Sequence, residues 1–150
     1  MRLTSQGLQL GVFILLVVVT LLGCGPTDSK PMAFTKEGWA KQESRQGSNT
    51  ERMKMLDSAT SIAGQMRFKG QAVDNFGSPD KIFDEKQSQE IIPKIRTRGN
   101  VDLAQKKHVE VMGYLCGSKA SEGATNDVYL IVMVDETGQI VGTGVYSGPL

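Results

Sequence analysis

The most apolar stretch of the chain lies near its start. Residues 10–22, LGVFILLVVVTLL, are broken only by Gly11 and Thr20, and just past Cys24 the pattern turns to the polar GPTDSK. From 25 to 47 there is neither a helical nor an alternating pattern, while Pro26, Pro31 and several Ser, Gln and charged residues accumulate, so the stretch reads as a linker. Phe34 and Trp39 are its exceptions, expected to dock on the domain or on the lipid interface.

Helical periodicity begins near residue 50. Met55, Ala59, Ile62 and Met66, with Leu56 and Ala63 beside them, predict one amphipathic helix over 50–66, opened by a capping box from Ser48 to Glu51. In FKGQAVDNFGSPD, residues 68–80, Val73 and Phe76 share a face of a second, short helix, which Gly77 closes and Pro79 stops. Residues 81–105 show no sustained period, and Pro93 and Gly99-Asn100 interrupt them. Lys94, Arg96, Arg98, Lys106 and Lys107 make that region locally basic, as a solvated loop face or a contact for anionic headgroups.

The last third is strand-like over 108–116, 128–135 and 139–146. Asp135-Glu136-Thr137-Gly138 suits a type I turn with Gly138 at the bulge position. That turn sets Val134, Val132, Leu130 and Val128 against Ile140, Gly142, Gly144 and Tyr146 on one face, and Met133, Ile131 and Tyr129 against Val141, Thr143 and Val145 on the other. The expected fold is α+β, with two N-terminal helices packed on one face of a small antiparallel sheet of about three strands. Gly142 and Gly144 would let those helices approach Leu130 and Val132. The opposite face, Tyr129, Ile131, Met133, Val141 and Val145, is then apolar as well, and is the candidate protein-contact surface unless residues 81–105 or a second copy in a homodimer cover it.

With 150 residues and 39% hydrophobic content, the chain has room for one modest domain. Its 17 basic and 16 acidic residues leave a net charge of +1, so no broad field steers nucleic acid to it. Charge is more informative at the start, where Arg2 alone precedes the apolar run, as in the n-region and h-region of a signal peptide. A spanning helix needs about 20 apolar residues, and this run is shorter. Leu21-Leu22-Gly23-Cys24 resembles the bacterial lipobox, in which a small residue precedes an obligatory cysteine. The resemblance implies cleavage after residue 23 and a diacylglycerol thioether on Cys24, whose acyl chains add about 0.8 kcal/mol of membrane affinity per buried CH₂. The organisation is then a signal peptide over 1–23, a tether over 24–47 and a domain over 48–150. Gly25, where an aspartate would favour inner-membrane retention, points to the periplasmic face of the outer membrane.

The order of lipobox, linker, two helices and terminal sheet resembles the SmpA/OmlA, or BamE-like, family of small outer-membrane lipoproteins. The likeness is carried by Gly70, Val73, Phe76, Gly77 and Pro79 and by the YLIVMVDETGQIVGTGVYS hairpin, and covers residues 48–148. It implies a non-enzymatic accessory subunit in outer-membrane protein assembly or envelope integrity. The helix and sheet unit also resembles β-lactamase-inhibitor modules, which are protein binders. No functional residue beyond Cys24 carries over.

Candidate chemistry is sparse. His108 is the only histidine, and eight residues of straight strand, roughly 26 Å, separate it from Cys116. A metal site needs three or four ligands at suitable spacing, and no such cluster, phosphate loop or nucleophile elbow is present in the sequence. Cys116 reads as a buried strand thiol, or as an intermolecular disulfide partner once Cys24 is acylated. The expectation is a lipid-anchored, non-enzymatic envelope protein acting through protein contacts, with no metal and no cofactor beyond the covalent lipid. The alternative is a periplasmic sensor or a carrier of a small apolar ligand.

Overall fold

A computed structural model of the chain describes residues 30–41, 47, 50–97, 109–121 and 123–149. In chain order its elements are α1 (Lys36–Ala40), α2 (Glu51–Ala63), α3 (Lys69–Phe76), β1 (Lys81–Phe83) and α4 (Glu85–Ile91), then a 3₁₀ turn (Ile92–Lys94), β2 (Arg96–Thr97), β3 (Val109–Ser121), β4 (Ala124–Asp135) and β5 (Ile140–Gly148). The strands form one antiparallel sheet in the order β1-β3-β4-β5-β2. Among the described residues no helix is long and apolar enough to cross a membrane.

β4 lies at the centre and is buried from Val128 to Val134, because both of its faces are covered. That is why its apolar run does not alternate. On one face α1, α2 and α3 pack Trp39, Met55, Ala59, Ala63, Ala72 and Phe76 onto Met112, Tyr114, Cys116, Leu130 and Val132. On the other, the excursion from β1 through α4 to β2 sets Phe83, Ile91 and Ile95 on Val111, Tyr129, Ile131, Met133 and Tyr146. The expectation of about three strands with only N-terminal helices is therefore corrected. The sheet has five strands, and α4 follows β1 and closes the second face. β1 and β2 are three and two residues long, too short to establish an alternating signal, and α4 is a seven-residue helix ended by the Pro93 turn.

The glycines serve that second layer. Asp135 accepts bonds from the Thr137 and Gln139 amides at 2.9 and 3.1 Å, and Gly138 takes φ +81°, so the expected turn forms. Beyond the Val134/Ile140 pair, however, an extra residue on β5 places Gly142 opposite Met133, Gly144 opposite Ile131, Val145 opposite Leu130 and Tyr146 opposite Tyr129. A one-residue slip exchanges the faces. Val145 thus lies on the α2 side. A Cβ on Gly144 would meet Ile95 Cγ2 at 2.5 Å, and one on Gly113 would meet the Phe83 ring at 2.7 Å. The close approach is made by residues 81–97, not by the N-terminal helices.

α2 is capped by Thr50, whose hydroxyl accepts from the Met53 amide at 3.1 Å and donates to the Cys116 carbonyl. The expected Ser48 cap lies outside the described residues. Tight hydrogen bonds from Gln65 to Ile62 and from Met66 to Ala63 end the helix before the predicted residue 66. In α3 the buried pair is Ala72 and Phe76, and Val73 is 37% exposed.

The ordered body also reaches back into the expected tether. Thr35 caps α1 by accepting from Gly38 at 3.1 Å, and Trp39 is wholly buried against Phe76, with ring centroids 5.2 Å apart. An indole covering about 200 Å² contributes roughly 5 kcal/mol at 25 cal/mol per Å², enough to order one short helical turn that has no amphipathic period.

Past the end of β1, side chains take over the outer edge of β3. The Leu115 amide donates to Asp80 Oδ2 at 2.8 Å, and its carbonyl accepts from Arg52 Nη1 at 2.9 Å. Arg52 also bonds Asp80 at 2.7 Å and the Trp39 carbonyl at 2.8 Å, and both side chains of the pair are 10% exposed. The ion pair thus occupies the place of a missing strand. Further along, Gly117 has φ +154°, and an added Cβ would lie 2.6 Å from the Gly47 carbonyl and 2.7 Å from Met53 Cγ. Gly117→Ala is expected to cost about 2–3 kcal/mol through strained backbone and collision, read as a lower urea midpoint.

Candidate binding cleft

A concavity of about 720 Å³ lies at the end of the sheet where β3 starts and β4 finishes. One wall is Phe83, Glu85, Ser88 and Gln89, followed by Ile92 and Pro93. The Asp84 capping box holds this wall, with Gln87 N donating to Asp84 Oδ1 at 2.8 Å, while buried Ser88 donates to the Phe83 carbonyl at 3.3 Å. The other wall is Val109 and Glu110 from β3, Val134 and Asp135 from β4, and Glu136 and Gly138 from the turn. Lys69 closes one end, its amide bonded to the Gly138 carbonyl at 2.9 Å and its ammonium to both Glu110 oxygens at 2.8 and 2.7 Å.

The floor is apolar and the rim acidic. Phe83 and Val134 are buried, Ile92 and Val109 half-buried, and Glu85 and Glu136 exposed. Of the lining carboxylates, Glu110 engages the Lys69 ammonium and Asp135 accepts from the Thr137 and Gln139 amides, which leaves Glu85 and Glu136 as the exposed ones. The carboxylates are spread around the rim, and among the described residues no group of three or more metal-ligating side chains converges. The arrangement suits a ligand carrying both an apolar and a cationic group.

A second hollow of about 580 Å³ lies beside Trp39, Arg52, Asp74 and Asp80. Its best-placed charges, Arg52 and Asp80, are spent on the β3 edge. Beneath the helices, Trp39 Nε1 and the Tyr114 hydroxyl are buried with no hydrogen-bond partner among the described residues. Burial, then the charges of Asp80 and Glu110, push the Tyr114 hydroxyl up to about 12. Tyr114→Phe removes an unsatisfied polar group and is expected to raise stability by about 1 kcal/mol, measured as a higher urea midpoint. Burial likewise pushes the Cys116 thiol up to about 12, against smaller opposing effects of the Leu130 backbone and Arg52.

Of the residues singled out by sequence, Leu21, Leu22, Gly23 and Cys24 lie outside the described residues, as do Arg98, Lys106, Lys107 and His108. Lys94 and Arg96 are exposed. The face chosen as a contact surface is brought together only in part, and it is not open. Tyr129, Ile131 and Met133 are at most 6% exposed beneath Phe83, Ile91 and Ile95, and Val141 packs against the same cluster. Val145 belongs to the opposite face. The cleft residues were missed because Lys69, Glu85, Glu110 and Glu136 come from four separate elements with no common spacing. Comparison with protein families, with curated proteins and with solved structures finds no match to this chain.

Proposed function

We propose that the chain is a lipid-anchored, non-enzymatic protein of the bacterial cell envelope that acts through protein contacts, as an accessory factor in outer-membrane protein assembly or envelope integrity. The anchor is Cys24, reached through the Leu21-Leu22-Gly23 cleavage motif, with the domain on the periplasmic side of the outer membrane. The observation that carries the binding role is the cleft, an apolar floor with an acidic rim on walls fixed by regular structure.

The test is growth with an alkyne fatty acid, followed by chemical crosslinking in intact cells. The native chain is expected to take up the label and form a discrete protein adduct, and Cys24→Ala to lose both. Label on Cys24→Ala contradicts the anchor, and a native chain without an adduct contradicts the contact role. The cleft volume lies within the roughly 300–1,000 Å³ of small-molecule sites, which favours a second reading as a small-ligand carrier. A small molecule co-purifying with the detergent-extracted chain in native mass spectrometry would support that reading.

A further inference from the structure

Resting on the reading that the chain works through a protein partner, we infer that the cleft receives an extended cationic segment of that partner. An aliphatic or aromatic side chain of the segment sits on Phe83, Ile92 and Val109, and a lysine or arginine beside it lies between Glu85 and Glu136.

Charge complementarity selects this occupant. Glu85 stands on the α4 wall and Glu136 on the turn opposite, both exposed, and neither has an ion pair among the described residues. Lys69 does not offset them, because both of its short contacts go to Glu110. An anionic headgroup or a nucleic-acid phosphate would meet Glu85 and Glu136, the exposed charges among the described lining residues, with the wrong sign. A neutral apolar ligand would satisfy the floor and leave the two carboxylates to be partly desolvated without a counter-charge, which is costly. A segment with a basic and an apolar side chain two positions apart, on one side of its extended backbone, satisfies both.

The surroundings favour a chain over a compact molecule. Phe68, next to Lys69 and bridged to Gln139, is 53% exposed. This apolar surface extends beyond the cavity, where a further side chain of a peptide reaches and a small ligand does not. Because the carboxylates are exposed, binding is salt-sensitive, with a screening length of about 8 Å at physiological ionic strength.

The test uses the full-length chain in non-ionic detergent, immobilised and offered two heptapeptide pools. One carries Lys or Arg two positions from Phe, Leu or Ile with Ser between them, and the other carries Asp or Glu two positions from the same apolar residues. Retention of the basic pool is expected to exceed that of the acidic pool at least tenfold and to weaken as salt is raised from 50 to 500 mM, on the order of the screening change. Glu85→Lys with Glu136→Lys should lower it about tenfold, consistent with two charge-assisted contacts. Glu37→Lys with Asp57→Lys, the same charge change at exposed positions on α1 and α2, should leave it unchanged. Equal retention of the pools, no effect of reversing the rim charges, or an equal loss in the distal control overturns the inference. If neither pool is retained while intact cells still yield a protein adduct, the inference fails and the contact role stands. If the basic pool is retained but no adduct forms, the contact role fails and the chemistry of the cleft stands.

Discussion

Replacing Ile131 and Met133 together by aspartate is expected to unfold the domain at neutral pH. Both side chains are fully buried beneath residues 81–97. Truncating such a side chain costs about 2–5 kcal/mol, and an unpaired carboxylate in its place adds several more. Two such sites, at roughly 10 kcal/mol combined, match the whole stability of about 5–15 kcal/mol typical of a domain. Circular dichroism and urea titration check this. Ile82→Asp, at a position 58% exposed on β1, should by contrast stay within about 0.5 kcal/mol of the native chain. A folded double variant with a native urea midpoint would mean that this sheet face is open to solvent after all.

The second large effect is expected at the Arg52–Asp80 pair. Arg52→Ala should cost about 3–5 kcal/mol, the range for breaking a buried ion pair by removing one partner. The loss has several parts. Asp80 keeps its charge without the guanidinium, the Leu115 and Trp39 carbonyls lose their donor, and the cation 5.0 Å from the Trp39 ring is removed. Asp80→Ala should be similarly severe, and Asp80→Asn milder, since its amide oxygen can still accept from the Leu115 amide. Arg52→Lys should recover only part of the loss, because one ammonium cannot reproduce the fork that joins three elements. Urea titration of the two single variants and the double variant gives the coupling. Additive losses would show that the two side chains do not act as one unit at the β3 edge.

These two effects mark what the sequence revealed. The amphipathic period of α2, the closure of α3 at Gly77 and the β4–β5 turn at Gly138 are local, and each was legible from a few neighbouring residues. The face assignment was not. It depended on one extra residue in β5, and that slip moved Val145 to the helix side and Gly144 beneath Ile95. Residues 81–97 were opaque for a different reason. Two strands of three and two residues and a seven-residue helix carry too few periods to register, although Phe83, Ile91 and Ile95 are what covers the apolar face. The expectation that Gly142 and Gly144 admit the N-terminal helices does not hold: Gly144 lies against Ile95, and the close approach at Gly113, by Phe83, has no counterpart in that expectation. In the sequence Trp39 is only an exception within a linker, and its burial shows that one large side chain can anchor a segment without a repeating pattern. The cleft was illegible because its lining is assembled from separate elements by the sheet itself.

Site-specific photocrosslinking of the full chain in living bacteria, with a benzophenone residue at Gln89 on the cleft wall or at exposed Asp57 on α2, tests most directly whether the protein works by contact at the cleft. Gln89 is predicted to capture one discrete protein, joined through a segment that sets a lysine or arginine beside an apolar residue, and Asp57 to capture none. Capture from Asp57 without capture from Gln89, or capture at Gln89 through an acidic segment, would contradict it.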